Sequence, residues 1–228
     1  MLSDICCYGS SFVGSTGEDV PLVVVDPGSC HMNNFVYCKE FVDIGKKFGV
    51  SVKFQLFNSS KVNIPLSHSM FEKVLDYGRI VGVDVFASVF DMDSIRFLNS
   101  LGVSKVKIGF SKRYDKKLVD YAIRFFDTVF ISGDVMTCFP DCDKVVKLFC
   151  IPEYPVKYLV DFENVFDRFD GFSDHTLGIK QTVSAVENGA RVIEKHITLD
   201  YGDIVCPDNH FALSPSWLRA LCLRLGVI

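Results

Sequence analysis

Residues 22–56 read LVVVDPGSCHMNNFVYCKEFVDIGKKFGVSVKFQL. The stretch opens with a short apolar run, passes through a loop into a longer amphipathic segment, and ends in a second short run. Short apolar runs that alternate with longer amphipathic segments indicate βαβ units, whose neighbouring strands are parallel. The stretch therefore predicts one strand–helix–strand repeat of a parallel sheet.

The same alternation continues along the chain and gives eight predicted strands, at 22–26, 51–56, 83–90, 105–108, 128–132, 145–150, 169–173 and 191–196. Helices are predicted at 35–48, 69–81, 93–101, 116–126, 177–188 and 214–225. Eight repeats predict an α/β fold, a single-domain (β/α)8 TIM barrel over residues 21–228. An open doubly wound sheet uses the same units and is the alternative. Residues 1–20 are rich in Gly and Ser and are predicted to form an N-terminal cap or hairpin.

Composition narrows the class of protein. The chain has 228 residues, 49% of them hydrophobic, which is enough for one barrel core. A net charge of -4 without a basic stripe argues against a nucleic acid partner. No apolar run approaches the ~20 residues of a membrane span. The nine cysteines are odd in number and follow no secretory signal, so we expect free thiols and a cytoplasmic location.

Polar residues collect where the predicted strands end, which is the catalytic edge of such barrels. Lys53 and Gln55 are two positions apart on strand two and point to the same side of the sheet. A buried lysine is costly unless it is paired, so inward Lys53 and Lys107 predict an anionic ligand. The alternative is a structural Lys–Glu pair.

Two histidines end adjacent predicted strands, His175 after strand seven and His196 in strand eight. Neighbouring strands lie ~4.8 Å apart, so two imidazoles at their tips can share one divalent ion. Two strand-end histidines alone are a weak signal, because core or capping histidines are common.

The surrounding motifs resemble those of the sialic acid synthase (N-acetylneuraminate synthase) family, which condenses phosphoenolpyruvate with an N-acetylmannosamine-type sugar. The resemblance runs over residues 22–220 in the family's order. It comprises KFQ at 53–55, FASVFDMDS at 86–94, KIG at 107–109, YP at 154–155, GFSDHTLG at 171–178, and EKHITL at 194–199 followed by Pro207-Asp208. The last two motifs are the most specific.

The resemblance implies a role for each matched residue. Contacts to phosphoenolpyruvate are implied for Lys53, Ser88, Lys107, Ser132 and Ser173. Acceptor-sugar contacts are implied for Gln55, Tyr154 and Asp208, and Glu194 is counted with the substrate-binding residues. His175 and His196 would hold one Mn2+ or Mg2+ ion, which would act as a Lewis acid on the sugar aldehyde. Asp26, where the family has Glu, joins both lysines and both histidines as the predicted catalytic residues. The lysines would act as charge clamps, not as Schiff-base nucleophiles.

Several positions depart from the family pattern. Cys30-His31-Met32-Asn33 replaces NHNG, Phe110 and Lys112 replace a Ser and an acidic residue, and Pro152 replaces an Asn. These changes predict an altered acceptor, either a different nonulosonate precursor or another aldose. The positive charge of Lys112, where the family has a negative one, favours an anionic acceptor such as a phosphorylated sugar. The chain ends at Ile228, where family members usually continue into an antifreeze-like domain. We therefore expect only weak self-association as a homodimer.

Two other functions remain open at this stage. A degenerate barrel could bind a sugar, a phosphate or a partner subunit without catalysis, because fold resemblance does not guarantee activity. A metal-dependent aldolase or isomerase could use the same barrel.

Overall fold

The computed structural model describes residues 20–58, 62–199 and 206–228. Eight parallel strands close into one barrel in the order β1 to β8, so the predicted single-domain (β/α)8 TIM barrel is confirmed and the open sheet is rejected. The strands are β1 Leu22–Asp26, β2 Ser51–Leu56, β3 Val85–Val89, β4 Lys105–Ile108, β5 Thr128–Gly133, β6 Val145–Cys150, β7 Gly171–Asp174 and β8 Val192–His196. The predicted cap over residues 1–20 lies almost entirely outside the described residues.

Six α-helices of the described chain connect or follow the strands: α1 Phe35–Phe48, α2 His68–Val81, α3 Met92–Ser100, α4 Lys116–Phe125, α5 Lys180–Glu187 and α6 Pro215–Arg224. Side-chain caps fix where several of them begin. Ser214, for example, precedes Pro215 at the start of α6 and accepts a hydrogen bond from the Trp217 amide. None of the described helices is long and apolar enough to cross a membrane.

Two crossovers depart from the strand–helix alternation. Residues 134–144 join β5 to β6 without a helix, and residues 151–170 join β6 to β7 with only a 3-10 turn, Val165–Asp167. On this side of the barrel, phenylalanines pack against the sheet in place of long helices. Phe149, Phe162 and Phe172 are buried there, with the rings of Phe162 and Phe172 at 5.0 Å. Large aromatic side chains bury much apolar area per residue, so they stabilise this wall with few residues.

Strand register decides which side chains share the barrel interior. Ser88 of β3 pairs with Lys107 of β4, and Ser173 of β7 pairs with Glu194 of β8. Because side chains alternate across a strand, residues two apart on each strand face the same side. The polar residues at the carboxyl ends of the strands therefore meet inside one end of the barrel.

Candidate active site

A cluster of four buried charges lies inside the barrel. The Lys53 ammonium is 2.7 Å from the Asp26 carboxylate and 3.1 Å from Glu194 Oε1. The Lys107 ammonium pairs with Glu194 Oε2. All four side chains are less than 10% exposed. The cluster contains two cations and two anions, so its formal charges cancel.

Hydroxyl and amide groups extend this cluster to the other predicted site residues. Ser173 donates to Glu194 at 2.5 Å and lies 2.7 Å from the Ser132 hydroxyl. Lys107 also donates to Ser173, at 3.2 Å. Ser88 lies 3.5 Å from the Lys53 ammonium, and the Gln55 amide donates to Asp26 at 2.8 Å. The structure thus brings together every residue predicted to contact phosphoenolpyruvate, with Gln55 beside them.

Burial and pairing shift the pKa values of these groups in opposite directions. Burial opposes the charge of Glu194, but Lys107 and Lys53 hold its pKa well below the ordinary value. Burial lowers the pKa of Lys53, but Asp26 and Glu194 outweigh it and raise that pKa. For Lys107, burial outweighs the attraction of Glu194, and its pKa falls below the ordinary value. Lys107 is therefore the less firmly charged of the two lysines.

The two strand-end histidines lie side by side at the edge of this cluster, with ring centroids 5.6 Å apart. His175 Nδ1 is 3.0 Å from the Ile151 carbonyl oxygen, so this nitrogen carries the proton and Nε2 keeps its lone pair. Burial, followed by the nearby His196, lowers the pKa of His175 to about 4. His196 Nε2 lies 3.6 Å from Asp26, and its Nδ1 is buried without a hydrogen-bond partner.

These features test whether a divalent ion fits. A neutral imidazole is the form that ligates a metal. Nε2 of His175 keeps its lone pair, and the His196 ring lies buried beside it. Within the described part of the chain, no group of three or more His, Cys, Asp or Glu side chains is placed to hold a metal ion. As a pair of ligands, His175 and His196 would leave the further coordination positions of an ion to water or substrate.

Two aromatic rings border the histidines. The Tyr154 ring lies 4.0 Å from the His175 ring, centroid to centroid, and 53% of Tyr154 is exposed at the barrel mouth. Phe211 is buried and meets the His196 ring at 5.0 Å. Tyr154 was predicted from the motif, whereas Phe211 was missed. The only signal for it was its position one residue after His210, in the loop that carries Asp208.

Asp208 lies against the loop that follows β1, next to His196. Its carboxylate accepts a hydrogen bond from the Ser29 amide at 2.7 Å. Gly28 has a φ of +54°, and a Cβ added there would lie 2.2 Å from Asp208 Oδ2 and 3.0 Å from His196 Nδ1. Only glycine fits between these side chains, so Asp208 and His196 lie against the same turn of the chain.

A disulfide joins the loops that follow β1 and β8. It connects Cys30 to Cys206, whose Cα atoms are 5.4 Å apart. The prediction of free thiols is wrong for this pair, because spacing along the sequence cannot show that residues 176 positions apart meet in space. Among the described residues, Cys38, Cys138, Cys142, Cys150 and Cys222 are free.

Cys150 was not predicted as part of the site. Its buried sulfur lies 4.0 Å from His175 Nδ1, at the end of β6. Burial raises the pKa of this thiol to about 12, so it is protonated at neutral pH and acts as a small apolar neighbour.

Similar proteins share both sequence and fold with this chain. An N,N'-diacetyllegionaminic acid synthase of Legionella pneumophila is 28% identical over 248 residues, which cover 87% of this chain and 69% of that protein. A pseudaminic acid synthase of Campylobacter jejuni is 26% identical over 201 residues, covering 80% of this chain and 57% of that protein.

A solved structure of N-acetylneuraminic acid synthetase from Leptospira borgpetersenii, in complex with citrate, superposes with a TM-score of 0.81 at 19% identity. That match covers 95% of this chain and 87% of the other. It shows that the fold is shared. The NeuB family model matches residues 53–226, well over half of the sequence and most of the barrel. The chain therefore belongs to the NeuB family.

Proposed function

We propose that this protein joins phosphoenolpyruvate to an amino-sugar or related aldehyde, forming a nonulosonic 2-keto sugar acid and releasing phosphate. The observation that carries the proposal is the meeting of Lys53, Lys107, Ser132 and Ser173 beside the two imidazoles of His175 and His196. Family membership and the names of the relatives, which are synthases of sugar acids of this class, support it.

Anion recognition would fall to the lysine and serine groups. Lysine has three donors, and Lys107 uses two of them on Glu194 and Ser173. Its third donor, with the hydroxyls of Ser132 and Ser173, suits phosphate or carboxylate oxygens. Because Glu194 and Asp26 already balance the lysine charges, we infer that a bound dianion competes with Glu194 for the same donors.

The condensation consumes one enolpyruvate, one aldehyde and one water. A bond forms from C3 of phosphoenolpyruvate to the aldehyde carbon, and the aldehyde oxygen becomes a hydroxyl. Water adds at C2, and phosphate leaves with cleavage of its C–O bond, which leaves the 2-keto acid. A divalent ion such as Mn2+ or Mg2+ on His175 and His196 would supply Lewis-acid polarisation of the aldehyde. Tyr154 and Gln55 would orient the sugar at the mouth of the barrel.

The acceptor itself is proposed only as a class. Lys112 lies on the turn after β4, where it adds positive charge close to the barrel mouth. We propose an acceptor that carries an anionic substituent, such as a phosphorylated aldose. A cytoplasmic location and weak homodimer formation stay predictions from the sequence.

The decisive experiment measures phosphate release from phosphoenolpyruvate with a panel of phosphorylated and unphosphorylated aldoses, with and without Mn2+. We expect release that needs both the aldose and Mn2+, and a product with the summed mass by mass spectrometry. Lys107→Met should lower kcat/KM by about 10²–10³-fold, the scale of losing one charged transition-state contact. Lys105→Met is the matched control, because Lys105 lies on the same strand but pairs with Asp84 at the amino-terminal end of the barrel, away from the charge cluster.

A second candidate is a non-catalytic barrel that binds a sugar or phosphate ligand. It is favoured by one observation, the pairing of both predicted substrate lysines with carboxylates of the chain. Such a protein would bind phosphoenolpyruvate or the aldose but release no phosphate under any of these conditions. Turnover of the aldose without phosphoenolpyruvate would instead indicate an aldolase or isomerase.

A further inference from the structure

A second buried ion pair lies on the side of β7 and β8 opposite the charge cluster. Asp174 and Lys195 are register partners on these strands, each next to a histidine in the sequence. Lys195 Nζ is 3.0 Å from Asp174 Oδ2, and both side chains are 0% exposed. Because side chains alternate along a strand, this pair faces away from Ser173 and Glu194 and has no place among the substrate contacts.

The ion pair makes hydrogen bonds to the backbone of Thr176, the residue that follows His175. Asp174 accepts a hydrogen bond from the Thr176 amide at 2.7 Å, and Lys195 donates to the Thr176 carbonyl at 2.5 Å. Thr182, in α5, donates to Asp174 at 2.5 Å. Asp174 and Lys195 thus hold both backbone polar groups of Thr176. The hydrogen bond from Thr182 connects this ion pair of β7 and β8 to α5.

The hydrogen bonds to Thr176 also help to fix the orientation of His175. The His175 carbonyl accepts a hydrogen bond from the Val156 amide at 3.0 Å, and its Nδ1 faces the Ile151 carbonyl at the same distance. With Thr176 fixed by the ion pair, the backbone on both sides of the imidazole is held. The neighbouring His196 directly follows Lys195, so the pair connects the two residues that carry the rings.

We propose that Asp174 and Lys195 are positioning residues that set the spacing between His175 and His196, so that the two rings can share one divalent ion. This inference rests on the metal site of the proposed function. Stability alone gives a weaker reason for the pair, because well-packed apolar residues often stabilise a core as well as a buried ion pair does. Outer residues that orient metal-binding histidines typically alter metal affinity by 10–100-fold.

The test uses a double variant, Asp174→Asn with Lys195→Met, which removes both charges without leaving one buried alone. The matched control is Asp84→Asn with Lys105→Met, which removes a 2.8 Å ion pair near the amino ends of β3 and β4, at the opposite end of the barrel. Thermal unfolding reports the fold of each variant, and electron paramagnetic resonance of free Mn2+ reports the dissociation constant.

We expect the Asp174/Lys195 double variant to unfold within a few degrees of the wild type and to bind Mn2+ 10–100-fold more weakly. The control should bind Mn2+ as the wild type does. A milder variant, Thr182→Val, removes one hydrogen bond to Asp174 and should weaken Mn2+ binding about 2–10-fold, the equivalent of one net hydrogen bond. If the double variant does not fold, the Mn2+ affinity of Thr182→Val tests the positioning role instead.

The possible results separate this inference from the proposed function. Wild-type affinity for Mn2+ in the folded double variant, or in Thr182→Val if only that variant folds, overturns the positioning role and leaves the proposed function standing. Absence of Mn2+ binding by the wild-type protein overturns the metal site itself, and the positioning role with it.

Discussion

Replacing Glu194 by Gln removes the carboxylate that contacts both Lys53 and Lys107. Lys53 keeps Asp26 at 2.7 Å, whereas Lys107 keeps only the Ser173 hydroxyl, at 3.2 Å, among its described hydrogen-bond partners. Removing one partner of a buried ion pair typically costs 3–5 kcal/mol. Because Lys107 can release its proton, we expect Glu194→Gln to lower the free energy of unfolding by about 3 kcal/mol at neutral pH.

The loss should depend on pH in a defined direction. Burial already lowers the pKa of Lys107, and Glu194 raises it in part, so the variant should lower this pKa further. The folded variant then binds fewer protons than its unfolded chain between this lowered pKa and the ordinary lysine value of about 10.4. Its stability should therefore rise with pH across this window and be lowest in acid.

Urea unfolding at pH 6, 7.5 and 9 measures both effects. Glu187→Gln is the matched control, because Glu187 pairs with Arg224 on the surface at 3.2 Å and its loss should cost less than about 1 kcal/mol. Adding Lys107→Met to Glu194→Gln should recover most of the loss, since no buried charge then lacks a partner. A Glu194→Gln protein within 1 kcal/mol of the wild type at every pH would refute the reasoning.

Three further outcomes are expected. Burial lowers the pKa of His31 from 6.5 to about 4, so the free energy of unfolding should fall by up to about 3 kcal/mol as the pH drops through that window. In His31→Gln, urea unfolding at pH 7 and pH 5 should show a smaller loss of stability in acid than in the wild type. An equal loss contradicts this. Gly28→Ala should lower the free energy of unfolding by about 1–3 kcal/mol and weaken Mn2+ binding. The added Cβ would meet Asp208, and the φ of +54° disfavours alanine. An unchanged melting temperature would contradict this prediction. Phe211→Ala should lower the free energy of unfolding by about 3–5 kcal/mol, measured by thermal unfolding, because the ring is buried beside His196. A loss under about 1 kcal/mol would show that the ring packs loosely.

Much of the fold follows from local patterns. The eight strands lie within one or two residues of their predicted bounds, because apolar runs and helix caps are decided by neighbours in the chain. No helix was predicted in residues 134–144 or 151–170, and the two crossovers there lack an α-helix. The path of residues 151–170 instead follows from the burial of Phe162 and Phe169. Tertiary packing, not local propensity, determines those segments.

The sequence by itself determined which polar residues end each strand, and the alternation of side chains along β2 determined that Lys53 and Gln55 face the same side. The tertiary structure alone decided how the charges of Lys53 and Lys107 are balanced. Glu194 reaches both ammonium groups, Asp208 bonds to Ser29, and Cys30 meets Cys206 only because barrel closure brings β8 beside β1. Such contacts depend on distances between residues far apart in the chain, which strand patterns and spacing do not contain.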